Sequence, residues 1–191
     1  MNVSDKIWAD LADCGVKRCF FLPGGGSMFL IDALARQDRI EKTALLHEQS
    51  CAIASDGFNQ YHGYLASVVC VTTGPGGTNA ITGVAASWID STPLLVISGQ
   101  VPTNMMMENN LKQKVIQFGS TWPDGYEYYE RQKGPQEVAI TSIVKPITKF
   151  SGIMVNKTGR PTIKDVVEIA SKGIQGPVWV DVPLDVQSAS V

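Results

Sequence analysis

The chain has 191 residues, 44% of them hydrophobic and 18% charged, the proportions of one soluble domain with its own core. Sixteen Lys and Arg stand against 18 Asp and Glu, giving a net charge of -2 with no like-charge block, which argues against a nucleic-acid or anionic-membrane surface. The longest apolar runs, such as Pro93–Ser98, are far too short to span a bilayer, and Met1-Asn2-Val3-Ser4-Asp5-Lys6 lacks the order of a secretory signal. Cys14, Cys19, Cys51 and Cys70 sit in apolar segments without a C-x-x-C pair. They read as reduced, packed thiols, and a cytoplasmic location follows. His47 and His62 have no partners at metal-ligand spacing, so no metal site is expected in this chain.

Ser4 is expected to cap a first helix that runs to about Asp13 and ends at Gly15. Cys19–Leu22 reads as a short buried strand, broken by Pro23-Gly24-Gly25-Gly26, with Ser27 capping a helix that carries Met28, Leu30, Ile31 and Leu34. Thr43–Leu46 is the next predicted strand. His47-Glu48-Gln49 then opens a helix to about Tyr61, with Cys51, Ala54, Phe58 and Tyr61 as its packing stripe and Gly63 as its stop. Ala66–Thr72 is a valine-rich strand, followed at once by Thr73-Gly74-Pro75-Gly76-Gly77-Thr78-Asn79 and a helix to about Ile89. Both helices are rich in small residues and read as contact surfaces for another helical layer. Leu94–Ser98 is a further strand.

From Val101 to about Ala139 the pattern weakens into a long excursion, with a short helix expected at Lys112–Phe118. A strand near Ile147–Phe150, a helix over Ile163–Ser171 and a strand over Pro177–Val182 complete the order. Strand and helix alternate throughout. The expected fold is three-layer α/β/α with a doubly wound, mainly parallel sheet over residues 1–183, and a linker beginning at 184–191.

Ligands of such sheets bind beyond the carboxyl ends of the strands, where Pro23–Gly26, His47–Gln49, Thr72–Asn79 and Ser98–Gln100 collect. Neither common phosphate fingerprint is met, because Gly74-Pro75-Gly76-Gly77-Thr78-Asn79 ends in asparagine and no G-x-x-x-x-G-K occurs. One carboxylate stands there, Glu48. Its position alone favours complementing a helix dipole over the alternative, an acid held in a dry pocket to hydrogen-bond a ring nitrogen.

The motifs His47-Glu48-Gln49, Asp56-Gly57-Phe58, Thr73–Asn79, Asp90-Ser91-Thr92-Pro93 and Gly99-Gln100-Val101, with Phe21–Gly25 and Gly176–Gln187, run nearly end to end. Together they resemble the pyrimidine-binding domain of thiamine-diphosphate enzymes, and most nearly the acetolactate synthase group. The resemblance implies that Glu48 hydrogen-bonds the cofactor's aminopyrimidine and promotes the tautomer that activates the thiazolium toward a 2-keto acid. It implies that Pro23, Gly24 and Gly25 lie beside the thiazolium, and that Thr73, Gly74, Pro75 and Asn79 lie against the pyrimidine.

The resemblance further implies a second pyrimidine domain and a diphosphate-binding domain as partners. That other domain would carry Mg2+ on a G-D-G motif, which this sequence lacks, making the chain a fragment of a larger protein or one subunit of a split enzyme. FAD is a further cofactor of the group. Gln100 and Gln136 correspond to positions bordering the substrate channel. Where the acetolactate group usually has G-T-D-A-F-Q-E, this sequence has Lys133-Gly134-Pro135-Gln136-Glu137, so the keto-acid specificity stays open. Arg131-Gln132 resembles relatives from sugar or surface-polysaccharide pathways. A decarboxylase or sugar-pathway lyase domain, and a non-catalytic nucleotide, flavin or assembly module, remain alternatives.

Overall fold

The computed structural model describes residues 1–107, 132–155 and 161–191. The helix expected at 112–118 lies outside them. Six strands form one sheet: β1 (Arg18–Phe21), β2 (Glu41–Ala44), β3 (Ser67–Val71), β4 (Leu95–Gln100), β5 (Phe150–Ile153) and β6 (Val178–Pro183). Every pairing is parallel and the spatial order is β2-β1-β3-β4-β6-β5. The α-helices among the described residues are α1 (Val3–Asp13), α2 (Met28–Ala35), α3 (Glu48–His62), α4 (Pro75–Ile89), α5 (Ile140–Val144), α6 (Ile163–Ser171) and α7 (Leu184–Ser188).

Alternate strand residues face opposite layers, as the two-residue period of a strand requires. On one side Cys19, Val68, Cys70, Leu95, Ile97, Val178 and Val180 pack against Trp8 and Leu11 of α1, Leu30 and Leu34 of α2, and Val166 of α6. On the other, Phe20, Val69, Val71, Val96 and Trp179 meet Cys51 and Ala52 of α3, Ala80 and Val84 of α4, and Ile140 and Val144 of α5. The expected three-layer, doubly wound sheet is what forms.

Several local expectations are corrected. The first helix is capped by Asn2, whose side chain accepts from Asp5 N while Asp5 accepts from Asn2 N; Ser4 is instead buried and donates to Gln187 O. The second strand, Glu41–Ala44, lies two residues earlier than the expected Thr43–Leu46, because β2 is a solvent-facing edge and Leu46 is 99% exposed. Cys51, Ala54 and Phe58 of the stripe expected on α3 pack on the core, but its buried residues also include the polar Glu48, Ser55, Asp56 and Asn59, and Tyr61 is 87% exposed. Residues 184–188, expected to open a linker, form α7 with Val186 and Gln187 buried, and Asn2 bridges Ser190 beyond it. All four cysteines are free thiols. Burial pushes Cys51 up to about 11 and Cys70 up to about 12, and Cys19 well above its ordinary range, so these three stay protonated and inert.

Helices α3 and α4 lie side by side. A Cβ on Gly83 would fall 2.5 Å from Ala52 Cβ, so small residues at that crossing set how closely the helices approach.

Candidate functional site

Parallel strands bring the turns after β1, β2, β3 and β4 to one edge of the sheet. The order reverses between β1 and β3, since β1 leads outward to β2 and β3 leads the other way to β4. A crevice opens at such a switch point. Its walls are the turn Leu22–Ser27 and the turn Thr72–Gly74, and these two are interlocked.

Thr72 is the hinge of that interlock. Its Oγ1 accepts from Gly26 N at 3.1 Å. A Cβ on Gly24 would lie 2.5 Å from Thr72 Cβ, and one on Gly76 would lie 2.7 Å from Thr72 Cγ2. Contacts this short tolerate no side chain at either glycine, so backbone from two turns lies bare at the crevice. Gly74 has φ 57, and a Cβ there would collide at 1.9 Å with the carbonyl oxygen of Gln136. Thr73 is buried beside them, and its Oγ1 has no hydrogen-bond partner among the described residues.

Glu48 is the first residue of α3, directly after the N-cap His47, whose Nδ1 accepts from Gln49 N. Its carboxylate is turned inward, with the residue 7% exposed, toward the start of α4. Asn79 Nδ2 donates to Glu48 Oε2 at 2.9 Å, while Oε1 lies 3.3 Å from where a Cβ on Gly76 would sit. One oxygen is thus steered by an amide and the other faces the glycine turn. A carboxyl group held in this way can give or take a proton from a ring nitrogen laid on the turn.

The structure brings together Glu48, Thr73, Gly74, Pro75 and Asn79, with Gly24 joined to them through Thr72 and Gln136 through its carbonyl on Gly74. Pro23 and Gly25 stand exposed on the outer side of the same turn, beside an open apolar groove of about 490 Å³ shared with Met28, Ile31, Asp32 and Ala35. Gln100 is not brought to the crevice. It is 1% exposed; its Nε2 donates to Val138 O at 3.0 Å and to Asp181 Oδ2 at 2.8 Å, and its Oε1 accepts from Val101 N. Asp181 also accepts from Ser98 Oγ, which accepts from Trp179 Nε1. Gln100 therefore ties the end of β4 to the stretch before α5 and lines no channel among the described residues.

Thr72 and Gln187 fall inside stretches the sequence singles out, but sequence reasoning assigned neither a role. Nothing in a lone threonine distinguishes one that packs on two glycines, and Gln187, flanked by Val186 and Ser188, carries no local sign of burial.

The profile of the family described as "Thiamine pyrophosphate enzyme, N-terminal TPP binding domain" matches residues 1–120. The chain is 34% identical over 187 residues to the acetolactate synthase isozyme 3 large subunit of Escherichia coli (strain K12), covering 97% of this chain and 28% of that protein. It is 34% identical over 192 residues to a probable acetolactate synthase large subunit of Methanocaldococcus jannaschii, covering all of this chain and 28% of the relative. With acetolactate synthase 1, chloroplastic, of Zea mays the identity is 32% over 186 residues, 96% of this chain and 25% of the relative. The chain thus spans about a quarter of the length of these relatives. With the α/β architecture and the glycine turns in place, the chain belongs to the thiamine pyrophosphate enzymes, in the family of their N-terminal TPP-binding domains.

Proposed function

We propose that this chain supplies the pyrimidine-side half of a thiamine diphosphate site in an acetolactate-synthase-like enzyme acting on 2-keto acids. The observation that carries the reading is the inward carboxylate of Glu48, steered by Asn79 above a glycine turn stripped of side chains. The cradle suits a flat heteroaromatic ring, because Gly76 sets bare backbone beside Glu48 Oε1 and the exposed Pro75 offers an apolar surface next to it. When bound, the cofactor would supply the carbanion-stabilising centre for breaking and forming carbon–carbon bonds at a 2-keto acid. Glu48 would hold a proton between one carboxylate oxygen and a pyrimidine nitrogen, and Asn79 would fix which oxygen does so. The bare backbone of Gly24 and Gly25 would border the reacting end of the cofactor.

No cluster of three or more His, Cys, Asp or Glu side chains among the described residues could hold a metal ion. By the resemblance to its family, Mg2+ and the diphosphate would be bound by another domain, of the same or a second chain. The outward faces of α3 and α4 support such a partner. Ile53 and Tyr61 of α3 and Trp88 and Ile89 of α4 are exposed, as is Leu46 in the turn before α3, an apolar set suited to a second pyrimidine domain or to the diphosphate-binding domain.

The test is Glu48→Gln in the chain combined with its diphosphate-binding domain. Exchange of the cofactor's thiazolium proton should slow by about 100-fold or more, the usual contribution of a positioned acid–base group, with the melting temperature unchanged. Exchange at the parent rate would end the assignment.

A further inference from the structure

We propose that Gln187 of α7 is a positioning residue for the Pro23–Gly26 turn, fixing the wall of the crevice from behind. The proposal rests on the reading above, in which that turn borders the cofactor. Gln187 is fully buried, and its carboxamide reaches three separate elements. Nε2 donates to Gly26 O at 2.7 Å and to Val182 O at 2.8 Å, and Oε1 accepts from Leu30 N in α2 at 3.4 Å. Its main-chain oxygen accepts from Ser4 Oγ of α1 at 2.9 Å.

Gly26 is consequently gripped at both ends of its residue: Thr72 Oγ1 takes its N–H and Gln187 takes its C=O. Orientation of the peptide units on either side of Gly26 sets how Gly24 and Gly25 present their backbone to the crevice. Without Gln187, the unit after Gly26 would keep a single hydrogen bond, from Ser27 N to Gly24 O at 3.1 Å, and its C=O would have lost its side-chain donor. The chemistry of the second grip calls for glutamine. Two donors and one acceptor must leave one buried planar group at this reach, which an ionised carboxylate, an ammonium or an apolar chain cannot provide. Val182 ends the last strand but one residue, so the same amide also registers the turn against β6.

A core glutamine of merely general structural value would, when replaced, loosen the whole domain. A positioning residue loosens the turn. Gln187→Glu separates the two through pH. While protonated, the introduced carboxyl still accepts from Leu30 N and can donate to one of the two carbonyls; once ionised, it confronts both as a third acceptor. Burial raises the pH at which that happens.

Amide hydrogen exchange resolved by peptide, on the 191-residue chain, reads the outcome. In Gln187→Glu, residues 24–30 should exchange about tenfold faster at about pH 8 than the intrinsic pH trend from about pH 5 accounts for, while peptides from β3 and α4 follow the parent. Gln187→Leu should show the same local loss at every pH. Parent-like exchange at 24–30 in both variants overturns the proposal. So does a uniform rise across β3 and α4, or a failure of both variants to fold at any pH, since either makes Gln187 a general core residue. Because the exchange needs no cofactor, its failure is distinct from failure of the Glu48 test.

Discussion

Asn59 offers the sharpest measure of how the helix that bears Glu48 is held. It lies about three turns along α3, some 16 Å from Glu48, and is fully buried. Its Nδ2 donates to Pro93 O at 2.8 Å and to Ser67 O at 3.1 Å, while its Oδ1 accepts from Ser67 N at 2.7 Å and from Ser67 Oγ at 3.0 Å. The side chain therefore staples α3 to the start of β3 and to the turn before β4. Asn59→Ala takes the partner from the buried Ser67 N–H and Pro93 C=O at about 1–3 kcal/mol each, and leaves a small cavity, for a total of about 3–5 kcal/mol.

For a domain of this size that loss lowers the melting temperature by roughly 6–20 °C. Urea titration should show a lower midpoint with an unchanged slope. Tyr61→Ala, on the exposed face of the same helix, serves as the control and should fall within about 0.5 kcal/mol of the parent. If Asn59→Ala stays within about 1 kcal/mol of the parent, the polar face of α3 is not what fixes the helix, and the account of its position is wrong.

Two further outcomes follow from the geometry. Gly76→Ala should destabilise by about 1–3 kcal/mol through overpacking on Thr72 Cγ2, whereas in a Thr72→Ser background, which removes that methyl and keeps the hydroxyl for Gly26 N, most of the cost should vanish. A double-mutant cycle in urea measures the coupling, and simple additivity would refute the interlock. The Asp5 carboxyl sits below its usual range, first through the backbone hydrogen bond from Asn2 and then through Arg36. A lowered folded pKa means stability present above the unfolded value of about 3.9 and lost as pH falls through the folded one, so Asp5→Asn should lower stability near pH 7 and flatten the acid limb of a stability–pH curve, its values converging with the parent's as pH falls below about 4.

The alternation of strand and helix was plain in the sequence because parallel strands buried on both faces must be continuously apolar, as Val68–Val71 and Leu95–Ile97 are. That rule misplaced β2, since an edge strand needs no apolar face, and of the run Ala44–Leu46 only Leu45 packs on the core. For α3 it found the packing residues Cys51, Ala54 and Phe58 and failed at Tyr61, and it passed over the polar Ser55, Asp56 and Asn59, which are buried because they bond to Ser67, Ser87 and Pro93. Glu48 stood out by resemblance and not by pattern, because an acid at a helix start is ordinary until Asn79 and Gly76 are seen around it. The role of Gln187 was hidden altogether. Two of its three partners, Gly26 and Leu30, lie 161 and 157 positions away in the chain, and no local spacing encodes them.

The pairing of β4 with β6 bears on how this domain comes into being. Gln100 and Asp181, side by side in the finished sheet, are 81 positions apart in sequence. At about 5–20 residues per second the ribosome needs some 4–16 s to travel that distance. During that interval β2, β1, β3 and β4 can assemble, but Leu95, Val96 and Ile97 form an unpaired apolar border, which is the form of edge that recruits other chains. The last strand thus acts as a seal on a nascent half-sheet, and the excursion before it governs how long that seam stays open.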